Sequence, residues 1–395
     1  MLQRVLTCKE CGPLPTNHFE DYVSALSTYL LPTISPKVVN VLFFPIENLL
    51  IKTGVVTLEA VFPKEKIPLR SLVFLREAQK NNILCLGMKT PFGYNGQFLI
   101  QTKTKQYPFE GLPAAEHLST RNSLKIDDKI YVKRILQKND FPAPEGKHFW
   151  FFDKKKALRY GLTLGFPLMV KPRNGSASRH CTFNIQDEGQ LKLAIQSVFL
   201  LDPCCIVERF IPNTTTFRGT VVDGSFVACT KRVPAHVVGD GNATIQELIG
   251  IKNSDPRRKK APDKTTTLYH ITFDHTSERL LSKQGYTLAS IPKKDEMVPL
   301  QEKIIIDFGG EPVEVTPSVH PDNLALFRNV ANLFQVKLVG IDFLAEDITH
   351  SWKEQRSAVI ELNSLPYIDV HHNPASGTPQ NVAGALINMV KKYYV

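Results

Sequence analysis

The chain has 395 residues, which at about 100–200 residues per domain points to two or three domains. With 43% apolar and 22% charged residues it has the composition of a globular protein, and it carries no run of about 18 apolar residues, so no membrane-spanning helix is expected. The net charge of +10 invites a nucleic-acid reading, but the basic residues are spread along the chain. Its two dense runs, Lys154-Lys155-Lys156 and Arg257-Arg258-Lys259-Lys260, lack the interleaved aromatics of a base-stacking platform, and a solvated face is expected for both.

Seven cysteines, an odd number in a long chain, do not form a disulfide framework. Cys8 and Cys11 make a CxxC pair, but no second pair follows to complete a zinc site, and two reduced thiols are expected. The first residues hold no apolar stretch of signal-peptide length, so the expected location is the cytoplasm.

In chain order, Val38 to Phe44 and Val55 to Phe62 have the apolar, β-branched character of strands, residues 71–80 that of a helix, and Ile83 to Gly87 that of another strand. An α/β domain is expected over residues 1–125. Residues 127–139 have helical spacing, with Ile130, Val132, Ile135 and Leu136 near one face and Asp127 placed to cap the start. Strands and helices then alternate to about residue 235: Leu168 to Lys171, Thr182 to Ile185, a helix near 188–200, Ile206 to Arg209, and strands at 217–222 and 226–231. Cys204 and Cys205 fall in an apolar run and are expected in the core. A long polar stretch covers residues 253–302. A helix near 322–334, strands at 337–344 and 358–363, and a final helix from Pro379 to Tyr394 complete the chain, with Pro379 suited to a first helical turn.

Three constellations stand out. In Val359-Ile360-Glu361-Leu362-Asn363 the alternation of a strand puts Glu361 and Asn363 on one face, and Asp342 lies on a second apolar strand. Magnesium, which takes hard oxygen ligands and bridges carboxylates to nucleotide phosphates, would give that face a purpose; the alternative is a polar face that meets solvent. The strand Leu168-Met169-Val170 ends in Lys171 and runs into the small-residue loop Arg173-Asn174-Gly175-Ser176-Ala177-Ser178, whose N–H groups could close over phosphates, although the GKS/T ending of a Walker loop is missing. The third is Ile206-Val207-Glu208-Arg209-Phe210, followed by Arg218, Lys231 and Arg232. There Glu208 and its neighbouring backbone could meet an adenine amino group, and the two arginines could clamp a phosphoryl group; a surface hairpin is the plainer reading.

In this order the three resemble the ATP-grasp superfamily, most closely the ATP-grasp portions of cyanophycin synthetase and the bifunctional glutathione synthetases. The most specific stretch is Arg232-Val233-Pro234-Ala235-His236-Val237-Val238-Gly239-Asp240-Gly241-Asn242-Ala243-Thr244-Ile245-Gln246-Glu247-Leu248-Ile249, continued by Asp255-Pro256-Arg257-Arg258, Gly309-Gly310 and Val319-His320-Pro321. The resemblance covers about residues 125–395. It implies an α/β ATP-grasp fold in which two sheet-containing lobes clamp ATP, one over 126–235 with the phosphate loop and one over 236–395 with the metal site.

The resemblance further implies that Lys129, Lys171, Ser176, Glu208, Arg209 and Phe210 contact ATP. Asp342, Glu361 and Asn363 would hold Mg2+ (or Mn2+), and Arg232 and Arg218 would act on the transferred phosphoryl group. The implied reaction joins a carboxylate to an amine through an acyl phosphate, with an amino acid or short peptide as substrate, release of ADP and phosphate, and homo-oligomers common among such ligases. Alternatives are an inactive ATP-binding regulatory module and, from charge alone, a nucleic-acid-binding protein. Two departures are visible. The acidic residue usual before the ribose-region arginine is missing from Pro212-Asn213-Thr214-Thr215-Thr216-Phe217-Arg218, and the approach to Gly309-Gly310 is Lys303-Ile304-Ile305-Ile306-Asp307-Phe308 in place of an Asn/Ser/Thr-rich segment.

Overall fold

A computed structural model describes residues 18–30, 49–60, 63, 66–120, 122–175, 178–261 and 263–395. The strand expected at Val38 to Phe44, the Cys8/Cys11 pair and Ser176 lie outside the described residues. Where a strand was expected over Val55 to Phe62, β1 spans only Thr57–Glu59. It joins β2 (Leu84–Thr90), β3 (Gly93–Gln101) and β4 (Gln106–Glu110) in an antiparallel sheet ordered as in the sequence. The helix Leu69–Lys80 packs on this sheet through Leu72, Phe74, Leu75 and Ala78, the one-sided spacing of an amphipathic helix.

A second antiparallel sheet is built from β5 (Gly146–Trp150), β6 (Leu168–Pro172), β7 (Thr182–Ile185) and β8 (Cys204–Arg209), in the order β5-β8-β6-β7. The helices Lys154–Leu164 and Glu188–Val198 cover one face, where Leu168, Val170, Cys205 and Val207 meet Ala157, Leu191 and Ile195. Strand alternation turns Lys171 and Glu208 to the other face. Cys204 and Cys205 are both buried, as their apolar run led us to expect. The helix His18–Leu30 sits against this part of the chain: the Tyr29 hydroxyl donates to Asp202 at 2.8 Å, the Arg173 guanidinium lies 4.3 Å from the Tyr29 ring centre, and Arg179 pairs with Asp21 at 3.0 Å.

The third sheet is five-stranded. β9 (Thr215–Val222) and β10 (Phe226–Val233) form a hairpin. The chain then leaves to make β11 (His236–Val238), β12 (Arg258–Lys259), β13 (Leu268–Tyr269) and β14 (Met297–Pro299), and returns as β15 (Glu311–Glu314), β16 (Leu338–Ala345) and β17 (Ser357–Asn363). The order is β15-β10-β9-β16-β17, antiparallel throughout, so a division of the chain at residue 235 runs through this sheet. Odd positions (Phe217, Val221, Val339, Ile341, Phe343) pack under the helix Pro321–Leu333. Gly219 permits this closeness, since a Cβ there would stand 2.8 Å from the Phe327 ring. The opposite face meets the helix Val382–Tyr393 at Val222, Ala228 and Leu338, in a core shared with the Leu69–Lys80 helix.

Three expectations are corrected, and the long polar stretch gains a structure of its own. The helix over 127–139 is Lys129–Lys138, and its cap is Asp128, whose carboxylate accepts from the N–H of Ile130 and Tyr131, whereas Asp127 accepts from the N–H of Ser364. The last helix begins at Val382 behind an Asn381 cap, so Pro379 stays outside it. The polar stretch 253–302 is ordered around a small core of Ile245, Leu248, Ile271, Leu281 and Val298, with the helix His275–Lys283 and paired strands of two or three residues. The basic run at 257–260 is not uniformly solvated, because Arg258 is buried and paired with Glu311. Among the described residues no helix is long and apolar enough to cross a membrane.

Candidate active site

The face of the five-stranded sheet turned away from the Pro321–Leu333 helix is polar at its centre. Arg218 on β9 stands opposite Asp342 on β16, and Asp342 stands opposite Glu361 on β17. The Arg218 guanidinium grips both Asp342 oxygens, Nη2 to Oδ2 at 2.7 Å, in the two-pronged geometry that suits guanidinium and carboxylate. Gly340 makes room for it, since a Cβ there would lie 3.1 Å from the Arg218 Cδ. Burial alone would raise the Asp342 carboxyl, but Arg218 and Arg232 outweigh it and hold the group below the ordinary range.

A shift of register in the β16–β17 ladder, between Asp342 and Phe343, lies beside Glu361. Asn363, with its amide oxygen accepting from Arg218 Nη2 at 3.2 Å, donates to Glu361 Oε1 at 3.2 Å. The same-face expectation for Glu361 and Asn363 therefore holds, with Asp342 beside them. Among the described residues no three His, Cys, Asp or Glu side chains stand together as a metal cluster. Two carboxylates and an amide are still a hard-oxygen set, and magnesium commonly binds one or two carboxylates and takes its remaining ligands from water and phosphate, so the residues present fit it.

Arg232 differs from Arg218. It lies on the same face, two residues beyond Thr230, which pairs with Arg218. Among the described residues no carboxylate hydrogen-bonds its guanidinium. Burial, and then the charge of Arg218, push its pKa below the usual arginine value. A desolvated cation beside a second cation is stabilised by any anion that arrives.

The outward face of the β5-β8-β6-β7 sheet carries the second cluster. Glu208 is 1% exposed and Lys171 4%. Glu208 Oε1 accepts from Lys171 at 2.6 Å and Oε2 from Lys133. Burial would raise the Glu208 carboxyl, but Lys171 and Lys133 reverse this and hold it low. Both side-chain oxygens of Glu208 are thus engaged by lysines. Arg209 Nη2 is turned to the Leu164 carbonyl at 2.9 Å, and the Phe210 N–H donates to the Pro167 carbonyl at 3.0 Å.

Lys129 joins the two clusters: its Nζ donates to the Gly175 carbonyl at 3.1 Å and stands 3.5 Å from Glu361 Oε2. Lys133, one turn on, was missed by sequence reasoning, although a spacing of four on one helix puts it on the same side as Lys129. Lys303 was missed as well. Its charge acts on the Cys181 thiol together with those of Lys129 and Lys171, while burial pushes that thiol up. Nothing in the local pattern around Lys303 signals this, because a loop carries it there.

Over 264 residues the chain is 36% identical to cyanophycin synthetase of Trichormus variabilis (strain ATCC 29413 / PCC 7937), covering 67% of this chain and 29% of that protein. Over 269 residues it is 30% identical to the glutathione biosynthesis bifunctional protein GshAB of Streptococcus mutans serotype c, covering 67% and 35%. The chain belongs to the ATP-grasp superfamily. A crystal structure of a bifunctional glutathione synthetase from Pasteurella multocida shares the fold of this ATP-grasp chain, with a TM-score of 0.62 at 23% identity over 83% of this chain and 44% of that one. The chain thus spans about a third of the length of the curated relatives it matches. No family model matches it.

Proposed function

We propose that this chain is an ATP-dependent carboxylate–amine ligase that forms an amide bond through an acyl phosphate and releases ADP and phosphate. The observation that carries the reading is the face shared by Arg218, Arg232, Asp342, Glu361 and Asn363: a hard-oxygen set beside an arginine whose guanidinium no carboxylate among the described residues hydrogen-bonds. We take the β5-β8-β6-β7 sheet and the five-stranded sheet as the two lobes of the clamp, and 1–125 as the region that adds to substrate binding.

In the proposed mechanism Lys129 and Lys171 neutralise nucleotide phosphate. With the Glu208 carboxylate held by two lysines, the adenine amino group meets backbone carbonyls of the 208–210 segment. Asp342, Glu361 and Asn363 would hold Mg2+ (or Mn2+), which when bound offsets charge on the β- and γ-phosphate oxygens. The substrate carboxylate attacks the γ-phosphorus, the bond to the bridging β–γ oxygen breaks, and ADP is the leaving group. Arg232 meets the charge that develops on the transferred group, and Arg218, anchored by Asp342, keeps that face rigid. The amine then attacks the acyl carbon and phosphate leaves. Closure of the lobes keeps water from the acyl phosphate. We further propose small-molecule substrates, an amino acid or short peptide among them, and a cytoplasmic location.

The reaction class is tested with an 18O-labelled carboxylate substrate. One label should appear in inorganic phosphate, and ADP should be the nucleotide product. AMP with pyrophosphate, or phosphate free of label, would overturn the acyl-phosphate route.

A further inference from the structure

The described residues bury three side-chain polar atoms that lack a hydrogen-bond partner: Arg70 Nε, Ser71 Oγ and Asp369 Oδ1. All three belong to two helices packed on each other, Leu69–Lys80 and Asp369–His372. A buried polar group left unpaired is costly, so three such atoms on two packed helices mark a place the fold does not complete by itself.

The seam borders the candidate reaction centre. Arg70 Nη1 donates to the Leu365 carbonyl at 3.0 Å, two residues past Asn363. Its guanidinium lies 5.0 Å from the ring centre of Tyr367, which is 55% exposed. Tyr367 in turn acts electrostatically on Arg218 and Arg232. Tyr269, on β13, has Asp307, Asp369 and Tyr367 among its electrostatic neighbours and so flanks the same space. Gly111 packs beside Arg70, where a Cβ would stand 3.6 Å from Nε, in ordinary contact. Asp369 is 6% exposed. Burial pushes its carboxyl up to about 6, and Arg70 opposes this only in part, so an added cation would be stabilised there.

We propose that this seam binds the zwitterionic head of an amino-acid substrate, with Asp369 accepting from the ammonium group and Arg70 Nε donating to the carboxylate. One neighbouring acid and one neighbouring guanidinium, each with an idle atom, match that head group and no simple anion or cation. The proposal rests on the ligase reading for why a substrate should lie beside Arg232, and it gives the N-terminal sheet region a part in the site through Arg70.

The test is calorimetric binding of the twenty common amino acids to the full chain with Mg2+ and ADP present. Each binder is then compared with its α-amide, which lacks the carboxylate, and its α-hydroxy acid, which lacks the ammonium. Wild type should prefer the amino acid over either analogue by about 10–100-fold, the range of a charge-assisted hydrogen bond. Asp369→Asn should erase the preference over the hydroxy acid and keep that over the amide. Arg70→Met should do the reverse, and Arg70→Lys should restore part of the loss. Unchanged ADP affinity shows that the variants remain folded. A trapped water in place of a substrate would leave both preferences unmoved, and that result, or no binding of any amino acid to wild type, overturns the proposal. ADP release from ATP with selectivity unmoved by either substitution would sink the seam and spare the ligase reading. The expected selectivity without ADP release from any probe would do the opposite.

Discussion

The two charge clusters are held in different ways. On the β5-β8-β6-β7 sheet Glu208 is shared between Lys171 and Lys133, and each charge has a partner in the folded chain. On the five-stranded sheet Arg218 is paired with Asp342 in the same manner, but among the described residues no carboxylate hydrogen-bonds Arg232, which feels Asp342 and Glu361 only through their charge. Glu208 needs no ligand to complete its bonds, although the Lys171 ammonium keeps donors to spare for nucleotide phosphate; the Arg232 guanidinium gains a bonded counter-charge only when an anion reaches it. A residue whose bonds are already made supports the fold, and a residue whose bonds are missing is free to bond what develops during reaction. Substitutions in the two clusters should therefore fail in different assays.

The largest effect is expected at Glu361. Glu361→Gln should lower turnover by about a thousandfold or more through loss of a metal ligand, with the melting temperature little changed. Near-normal turnover in that variant would end the metal assignment and make the two clusters alike. Glu208→Gln should do the converse and lower stability by about 3–5 kcal/mol in urea unfolding, because two buried lysines lose their counter-charge. Its pH dependence follows from sign. The folded carboxyl is held low, so its stabilisation is present above the unfolded pKa of about 4.3 and is lost as pH falls through the folded value. Glu208→Gln should lack that acid-sensitive component below about pH 4, and an unaltered acid limb would count against the pairing.

Arg232→Met sharpens the contrast within one sheet. Turnover should fall by about 100–1000-fold, with ATP affinity and stability nearly unchanged, the pattern of a contact made mainly in the transition state. An equal loss of ATP affinity would place Arg232 on the ground-state nucleotide instead. The smallest effect concerns the helix that carries Lys129 and Lys133. Asp128→Ala should cost about 1 kcal/mol through loss of its cap, and more if the Arg173 pair also contributes. Asp127→Ala should cost less; a reversed order in chemical unfolding would reinstate Asp127 as the cap.

Part of the site was legible because Glu361 and Asn363 stand two apart on one strand and so share a face; the register shift that turns Glu361 toward Asp342 while Val359 stays in the core could not be read from alternation. The lysine pair around Glu208 was only half legible: Lys171 ends a clear strand, whereas Lys133 sits on an amphipathic helix among other basic residues and looks like any solvated residue. The Asp127–Asp128 ambiguity is a one-residue question of φ and ψ that two adjacent acids cannot answer. Residues 253–302 defeated pattern reading for another reason. Their strands are two or three residues long, too short to show a period, and their core draws on Ile245 and Leu248 from the helix before. The action of the Arg70 charge on Asp369 joins distant parts of the sequence and could not be seen before folding.

Gly219 ties packing to chemistry along a single strand. Its bare Cα lets Phe327 lie flat on one face, while its neighbour Arg218 faces the other way toward Asp342. Any side chain there would lift the Pro321–Leu333 helix or tilt β9, and a tilt of β9 carries the guanidinium with it. In a deep mutational scan position 219 should consequently be intolerant in an expression screen and a catalytic screen alike, and compensation should come from smaller residues at 327, far from any substrate.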